Sequence, residues 1–249
     1  MVYLKTQEEI NLMKKAGKIS ARALELGGKA VKPGVTTMYV DKIIRDYIKS
    51  QGAVPSFLGY NDFPASSCIS INKEVIHGIP SKTRVINEGD IVSIDVGAYY
   101  RGFHADNAAT FPAGAISEDA QKLINATMQA LEFGIKQAVV GNRIGDISNA
   151  VQTFVESKGY GVVREYVGHG VGRKLHENPS VPNYGSAGRG MRLEQGMTIA
   201  IEPMVNMGSY KVKVLDDCWT VITADNKYSA HFEHTIAITN NGPEILTLP

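Results

Sequence analysis

Apolar residues at helical spacing open the chain: Ile10, Met13 and Ile19, interleaved with lysines, run towards Val31 as an amphipathic helix. Thr6, followed three residues later by Glu9, forms a capping box that starts this helix, and Pro33-Gly34 stops it. A second helix is capped by Thr36 or Thr37, carries Val40, Ile43, Ile44, Tyr47 and Ile48 on one face, and ends at Gly52. Two further helices are predicted from about 117–140 and 145–158. Strand patterns occupy 91–99, 103–111, 198–205, 211–215, 219–223 and 232–238.

The stretch KAVKPGVTTMYVDKIIRDYIKSQG loosely matches QAVVGNRIGDISNAVQTFVESKG, with Gly52 falling on Gly159, an offset of 107 residues. EGDIVSIDV matches EQGMTIAIEP at the same offset, so Gly89 falls on Gly196 and Asp95 on Glu202. One repeat this long is no solenoid period. Paired helices and hairpin-like strands point to an α+β fold of two pseudo-twofold-related halves, about 1–115 and 116–249, with a central antiparallel sheet backed by helices and a cleft between the halves. No interdomain linker is evident, so 1–249 reads as one domain.

Composition narrows the function. Among 249 residues, 26 basic and 25 acidic side chains give a net charge of +1, so no basic stripe suits DNA or RNA. Cys68 and Cys218 form no CxxC pair, which fits a reducing compartment and argues against a thiolate metal site. No apolar run reaches 18 residues and the N-terminus lacks a signal pattern, so a soluble cytoplasmic protein is expected.

Chemistry concentrates in five residues, Asp95, Asp106, His169, Glu202 and Glu233, set in apolar segments that read as strands. Four buried carboxylates without compensating charge would destabilise the fold or protonate, and two divalent cations would compensate them. In IVSIDVGAYYRGFHADNAATF, a turn at Tyr100-Arg101 pairs Asp95 directly with Asp106 and a turn at Arg101-Gly102 places them diagonally; either register puts both on one face. His169 lies in GHGVG, where small neighbours permit close approach, and an imidazole suits a divalent transition metal better than calcium or magnesium. Pro203 ends the strand of Glu202 or holds it at an edge, and His234, beside Glu233, points to the opposite face. Oxygen-rich, histidine-poor ligands of this kind describe a two-metal hydrolase.

The stretches VIHGIP (75–80), SIDVGAYYRGFHAD (93–106), YVGHGVGRKLHENP (166–179), IAIEPMV (199–205) and FEHTIAI (232–238) resemble type I methionine aminopeptidases of the pita-bread fold, over essentially the whole chain. The resemblance implies removal of the initiator methionine from nascent polypeptides with a small second residue. It implies that Asp106 and Glu233 bridge two divalent metal ions, that Asp95 chelates one, and that His169 and Glu202 complete the other. Glu202 would also accept the proton of the attacking water, His176 would donate to the developing oxyanion, and His77 would contact the scissile amide. Phe57, Tyr60, Phe63, Cys68, His77, Leu175, His176 and Trp219 would bind the substrate. His104 and His231 match no motif role and are left structural. Leu175 stands where the family commonly has an aromatic, and Gly97 and Asn107 stand where it often has hydroxyl residues.

The metals could be manganese, iron, cobalt or zinc, which the ligand types do not separate. A proline-directed aminopeptidase or dipeptidase shares the ligand set, but such relatives usually carry an additional N-terminal domain. A non-catalytic ribosome-associated binding protein would usually have lost ligands, and all five are present. Lys211 and Lys213 could touch ribosomal RNA, although a solvated strand face accounts for them more simply. A monomer is expected.

Overall fold

The computed structural model describes residues 2–249. Helix α1 (Gln7–Ala30) begins at the Thr6–Glu9 capping box, and α2 (Thr37–Ser50) is capped by the Thr36 hydroxyl, which accepts the Tyr39 amide. Ser117 caps α3 (Glu118–Lys136), and α4 (Ile144–Ser157) starts where the Asp146 carboxylate accepts the Arg143 amide. The third helix ends about four residues earlier than the apolar pattern suggests. Val139 and Val140 are β-branched and Gly141 adopts φ +95°, so the chain leaves the helix through i→i+3 bonds at Gln137 and Ala138.

Among the described residues, nine strands form one antiparallel sheet. Its main path runs Val54–Pro55, Ile91–Tyr100, Phe103–Pro112, Glu233–Thr239, Thr198–Ile201, Gly168–Gly170 and Glu177–Val181, with Cys68–Ile71 on the second strand and Gly242–Ile245 on the fourth. Two three-stranded sheets complete the fold. The strand anticipated over 198–205 is two strands, because Pro203 lacks an amide for the ladder: Thr198–Ile201 stays in the large sheet, and Met204–Asn206 pairs in a small one.

The helices cover the sheet in two pairs. Val92, Ile94 and Val96 leave the large sheet on one face and pack against Ala23, Leu24, Val40 and Ile44 of α1 and α2. Ile199, Ile201, Ile236 and Ile238 do the same beneath Leu131, Ile135 and Ile147 of α3 and α4. The opposite face stays free for chemistry.

The 107-residue offset relates the two helix pairs. It carries both ends of α2 onto those of α4 and the start of Ile91–Tyr100 onto that of Thr198–Ile201. It also carries the bridge Thr36–Val85 onto Arg143–Arg192, and the positive-φ turns at Gly34, Gly52 and Gly89 onto Gly141, Gly159 and Gly196.

Candidate metal centre and substrate pocket

The hairpin between Ile91–Tyr100 and Phe103–Pro112 turns at Arg101-Gly102, both with positive φ as a two-residue primed turn requires. Gly97 therefore faces Asp106 and Asp95 faces Ala108, so the two aspartates are diagonal neighbours on one face, the second of the two registers open to the sequence. Glu233 sits opposite Ala108 on the other flank of that strand, bringing its carboxylate to the same face. His169 comes from the short strand Gly168–Gly170. A Cβ on Gly168 would stand 2.4 Å from the Ala200 carbonyl oxygen, and one on Gly170 2.2 Å from that of Asn178, so both glycines are needed to lay this strand between its neighbours.

Ligand atoms of Asp106, His169 and Glu233 lie within 4.8 Å of one another. Glu202 Oε1 is 3.6 Å from His169 Nε2, and Asp95 and Glu202 line the same cavity of about 310 Å³. Asp106 Oδ1, Asp95 Oδ1 and Glu233 Oε1 are buried without a hydrogen-bond partner among the described residues. Burial, then the neighbouring charges of Asp106 and Glu202, holds the Asp95 carboxyl far above its ordinary range; burial and Asp106 do the same to Glu202. Glu233 is raised by burial and by Asp106, Glu202 and Asp95, and Asp106 is pushed up to about 7 by burial. No lysine or arginine among the described residues lines the cavity to offset these charges.

The His169 imidazole is neutral and has one nitrogen free to ligate. Its Nδ1 lies 2.8 Å from the Gly170 carbonyl, to which only a protonated Nδ1 can donate, leaving the Nε2 lone pair towards Glu202 and the cavity. Burial and the nearby His176 push its pKa down to about 3. Orphaned carboxylate oxygens beside one imidazole lone pair fit divalent transition metal ions. Cys68 does not join the donor set, since burial and the surrounding carboxylates raise its thiol well above the usual range and keep it protonated.

One of the remaining walls is apolar. Phe57, Phe63, Cys68 and Leu175 form a buried cluster against which Trp219 packs, its ring edge-on to Phe63 at 5.0 Å. A Cβ on Gly97 would approach the Phe57 ring to 2.9 Å, so the missing side chain there makes room for this wall. Asn107 is buried on the other face and accepts the Ser20 hydroxyl from α1, tying the helix to the strand that carries Asp106.

His77 lines the cavity at φ +59°, a conformation a β-carbon strains, with Tyr166 and Trp219 edge-on at 5.7 and 6.0 Å. Burial and His176 lower its pKa to about 4. His176 lies 4.0 Å from the His169 ring, stacks on Tyr60 at 5.2 Å, and shares a 2.9 Å hydrogen bond with the Tyr60 hydroxyl. Tyr60 is 37% exposed, so it stands at the mouth of the cavity and not in its depth. Asn61, at φ +47°, lines the cavity beside it and carries no sequence signal.

His104 and His234 lie away from the cavity, bonded to Ser56 and Thr247. His231, which matches no motif role, lies beside Glu202. Its imidazole is 1% exposed, its Nε2 finds no partner among the described residues, and it points at Glu202 Oε2 from 3.8 Å.

Residues 11–240 match metallopeptidase family M24. The chain is 55% identical to the methionine aminopeptidase of Clostridium acetobutylicum over 248 residues, covering 100% of this chain and 99% of the relative. The crystal structure of methionine aminopeptidase from Thermotoga maritima superposes with a TM-score of 0.99 at 48% identity, covering 100% of both chains. Prolidase from Pyrococcus furiosus shares the fold at a TM-score of 0.79 and 26% identity, and this chain covers 65% of it, with 99% of this chain matched. The chain therefore belongs to metallopeptidase family M24 and, within that family, to the type I methionine aminopeptidases.

Proposed function

We propose that this protein hydrolyses the peptide bond after an N-terminal methionine, removing the initiator residue from nascent polypeptides when the second residue is small. The observation that carries this reading is the meeting of a charged floor and an apolar wall in one cavity: five ligand-type side chains below, aromatic and sulfur-bearing side chains above. An unbranched thioether suits such a wall, because sulfur makes favourable contacts with ring edges. Similarity to prolidases is weaker and the five ligand-type residues are all present, so neither the proline-directed reading nor the non-catalytic one is favoured.

Asp95, Asp106, His169, Glu202 and Glu233 would hold two divalent cations, with manganese, iron, cobalt and zinc all compatible. When bound, the cations neutralise the carboxylates, polarise the substrate carbonyl and make water a better nucleophile at neutral pH. Glu202, flanked by His169 and His231, accepts the proton of the attacking water. His176, its Nδ1 engaged by Tyr60, directs its other nitrogen to the carbonyl oxygen as negative charge develops. His77 contacts the scissile amide and assists the leaving amine. We further infer a monomer acting in the cytoplasm on chains emerging from the ribosome, where this substrate arises; the free thiols of Cys68 and Cys218 accord with that compartment.

Hydrolysis of Met-Ala-Ser tests the reading. Activity is expected to disappear on chelation and to return with added divalent metal, with Gly-Pro left uncleaved. Turnover that survives complete metal removal would refute it.

A further inference from the structure

The loop that carries His176 is fastened from below by the first residues of the chain. Just before α1, Lys5 is buried, with its Nζ 2.6 Å from Glu177 Oε2 and 3.1 Å from the Tyr3 carbonyl oxygen. The side chains of Lys5 and Glu177 are 1% and 14% exposed, so removing either one strands the other charge away from water. The second Glu177 oxygen accepts the Lys174 amide at 3.1 Å, and the Gly172 amide donates to the Lys174 carbonyl at 3.0 Å. One carboxylate thus closes the loop 172–177 and ties it to the N-terminal segment.

The path is built for this lysine. A Cβ on Gly172 would lie 2.6 Å from Lys5 Cε, and one on Gly196 would lie 2.8 Å from the Lys5 carbonyl oxygen. The Lys5 amide donates to the Gly196 carbonyl at 2.8 Å, at the turn that leads into Thr198–Ile201 and Glu202. An outer ion pair, Arg173 to Glu9 at 2.8 Å, joins the same two segments, but its arginine is 60% exposed and such pairs contribute little. Lys5 therefore touches both segments that deliver His176 and Glu202.

We propose that Lys5, through Glu177, is a positioning residue that sets the imidazole of His176 over the reacting carbonyl. The ring's polar contact is with Tyr60, at the exposed mouth of the cavity, so its placement depends on a fixed backbone at 175–177. A displacement near 1 Å can cost on the order of 100-fold in rate. The inference rests on the role given above to His176, and the experiment separates the two.

Metal-loaded wild type, Lys5→Met, Lys5→Arg, His176→Ala and the double variant Lys5→Met/His176→Ala are compared on Met-Ala-Ser, with kcat and KM resolved. Wild-type turnover, together with its loss in His176→Ala, tests the role of His176 independently. Lys5→Met is expected to lower kcat roughly 10- to 100-fold with KM changed little, and Lys5→Arg to recover most of the loss. In the His176→Ala background the same substitution is expected to change kcat less than about twofold, because two residues acting as one unit are not additive. Amide hydrogen exchange in 172–177 should accelerate in Lys5→Met while α1 stays protected. An equal fold-loss in both backgrounds, or no loss in either, overturns the proposal. Should Lys5→Met not yield folded protein, Glu177→Gln is read in the same cycle and decides by the same outcomes.

Discussion

Replacing Asp106 by asparagine should stabilise the metal-free protein while abolishing its activity. Burial moves the Asp106 carboxyl from 3.8 to about 7, so in the absence of metal the folded state holds that proton long after the unfolded chain has released it. The stability this proton contributes is fully present below about pH 4 and is lost as pH rises to about 7; above that, the metal-free fold carries the cost of the buried charge. A shift of this size corresponds to roughly 4 kcal/mol as a ceiling. Asp95, Glu202 and Glu233 are raised by the same crowding, so the four carboxyls share protons and relax together, and about 1–2 kcal/mol is the realistic gain from removing one of them. For a chain of this length that is a rise in Tm of roughly 3–6 °C. Thermal melts in chelator at pH 5 and pH 8, and again with saturating manganese, check it. The variant should exceed wild type in chelator by less at pH 5 than at pH 8, and fall below it with manganese, where wild type gains binding free energy that the variant cannot. A variant that melts at or below wild type at pH 8 in chelator would show that the carboxylate cluster is not a source of instability, and the charge-compensation argument for metal would fail.

Three further outcomes follow from the same geometry. Glu202→Gln should lower kcat by about 100-fold or more while leaving the fold intact, as steady-state kinetics and circular dichroism would show. Trp219→Ala removes the ring that stands edge-on to Phe63 and should raise KM for Met-Ala-Ser by about 10- to 100-fold, given roughly 1.5–3 kcal/mol for an apolar side-chain contact of this size. Gly17→Ala puts a Cβ 2.1 Å from the Leu246 carbonyl oxygen, so α1 must lift from the C-terminal strand; about 2 kcal/mol and a Tm loss of roughly 4–8 °C are expected in a melting experiment.

What the sequence reveals depends on how local its cause is. Helix starts are legible because Thr6, Thr36 and Ser117 cap within three residues of the amides they serve. The long hairpin is legible because alternation and a two-residue turn settle its register between two choices. Cys68–Ile71 escapes notice because it is buried on both faces and shows no alternation, and Gly168–Gly170 because two of its three residues are glycines chosen for close approach. The five ligand-type residues announce themselves as carboxylates in apolar strands. His231 does not, because its proximity to Glu202 is made only when Met204–Asn206 and Ser229–His231 pair in a separate small sheet. Nor does Lys5, whose partner Glu177 is 172 residues away.

The repeat accounts for one pair of ligand-type residues, and the place where it breaks accounts for one side of the wall. The 107-residue offset holds through helices, turns and the first central strand of each half, and it delivers Asp95 and Glu202. Beyond that point the halves diverge. The first turns back in two residues, Arg101-Gly102, whereas the second breaks at Pro203 and adds the hairpin of Val212–Val214 and Val221–Thr223 before returning at Glu233. Trp219 sits in that added segment and reaches over the cavity to Phe63 and His77. We read the common frame as the source of Asp95 and Glu202 in the floor, and the asymmetric hairpin as the source of Trp219, which completes a wall otherwise built from Phe57, Phe63, Cys68 and Leu175. On that reading, exchanging the segment around Trp219 opens one side of the wall and should weaken the preference for methionine over other N-terminal residues in a peptide-cleavage assay, while the ligand-type residues beneath it go on supporting hydrolysis.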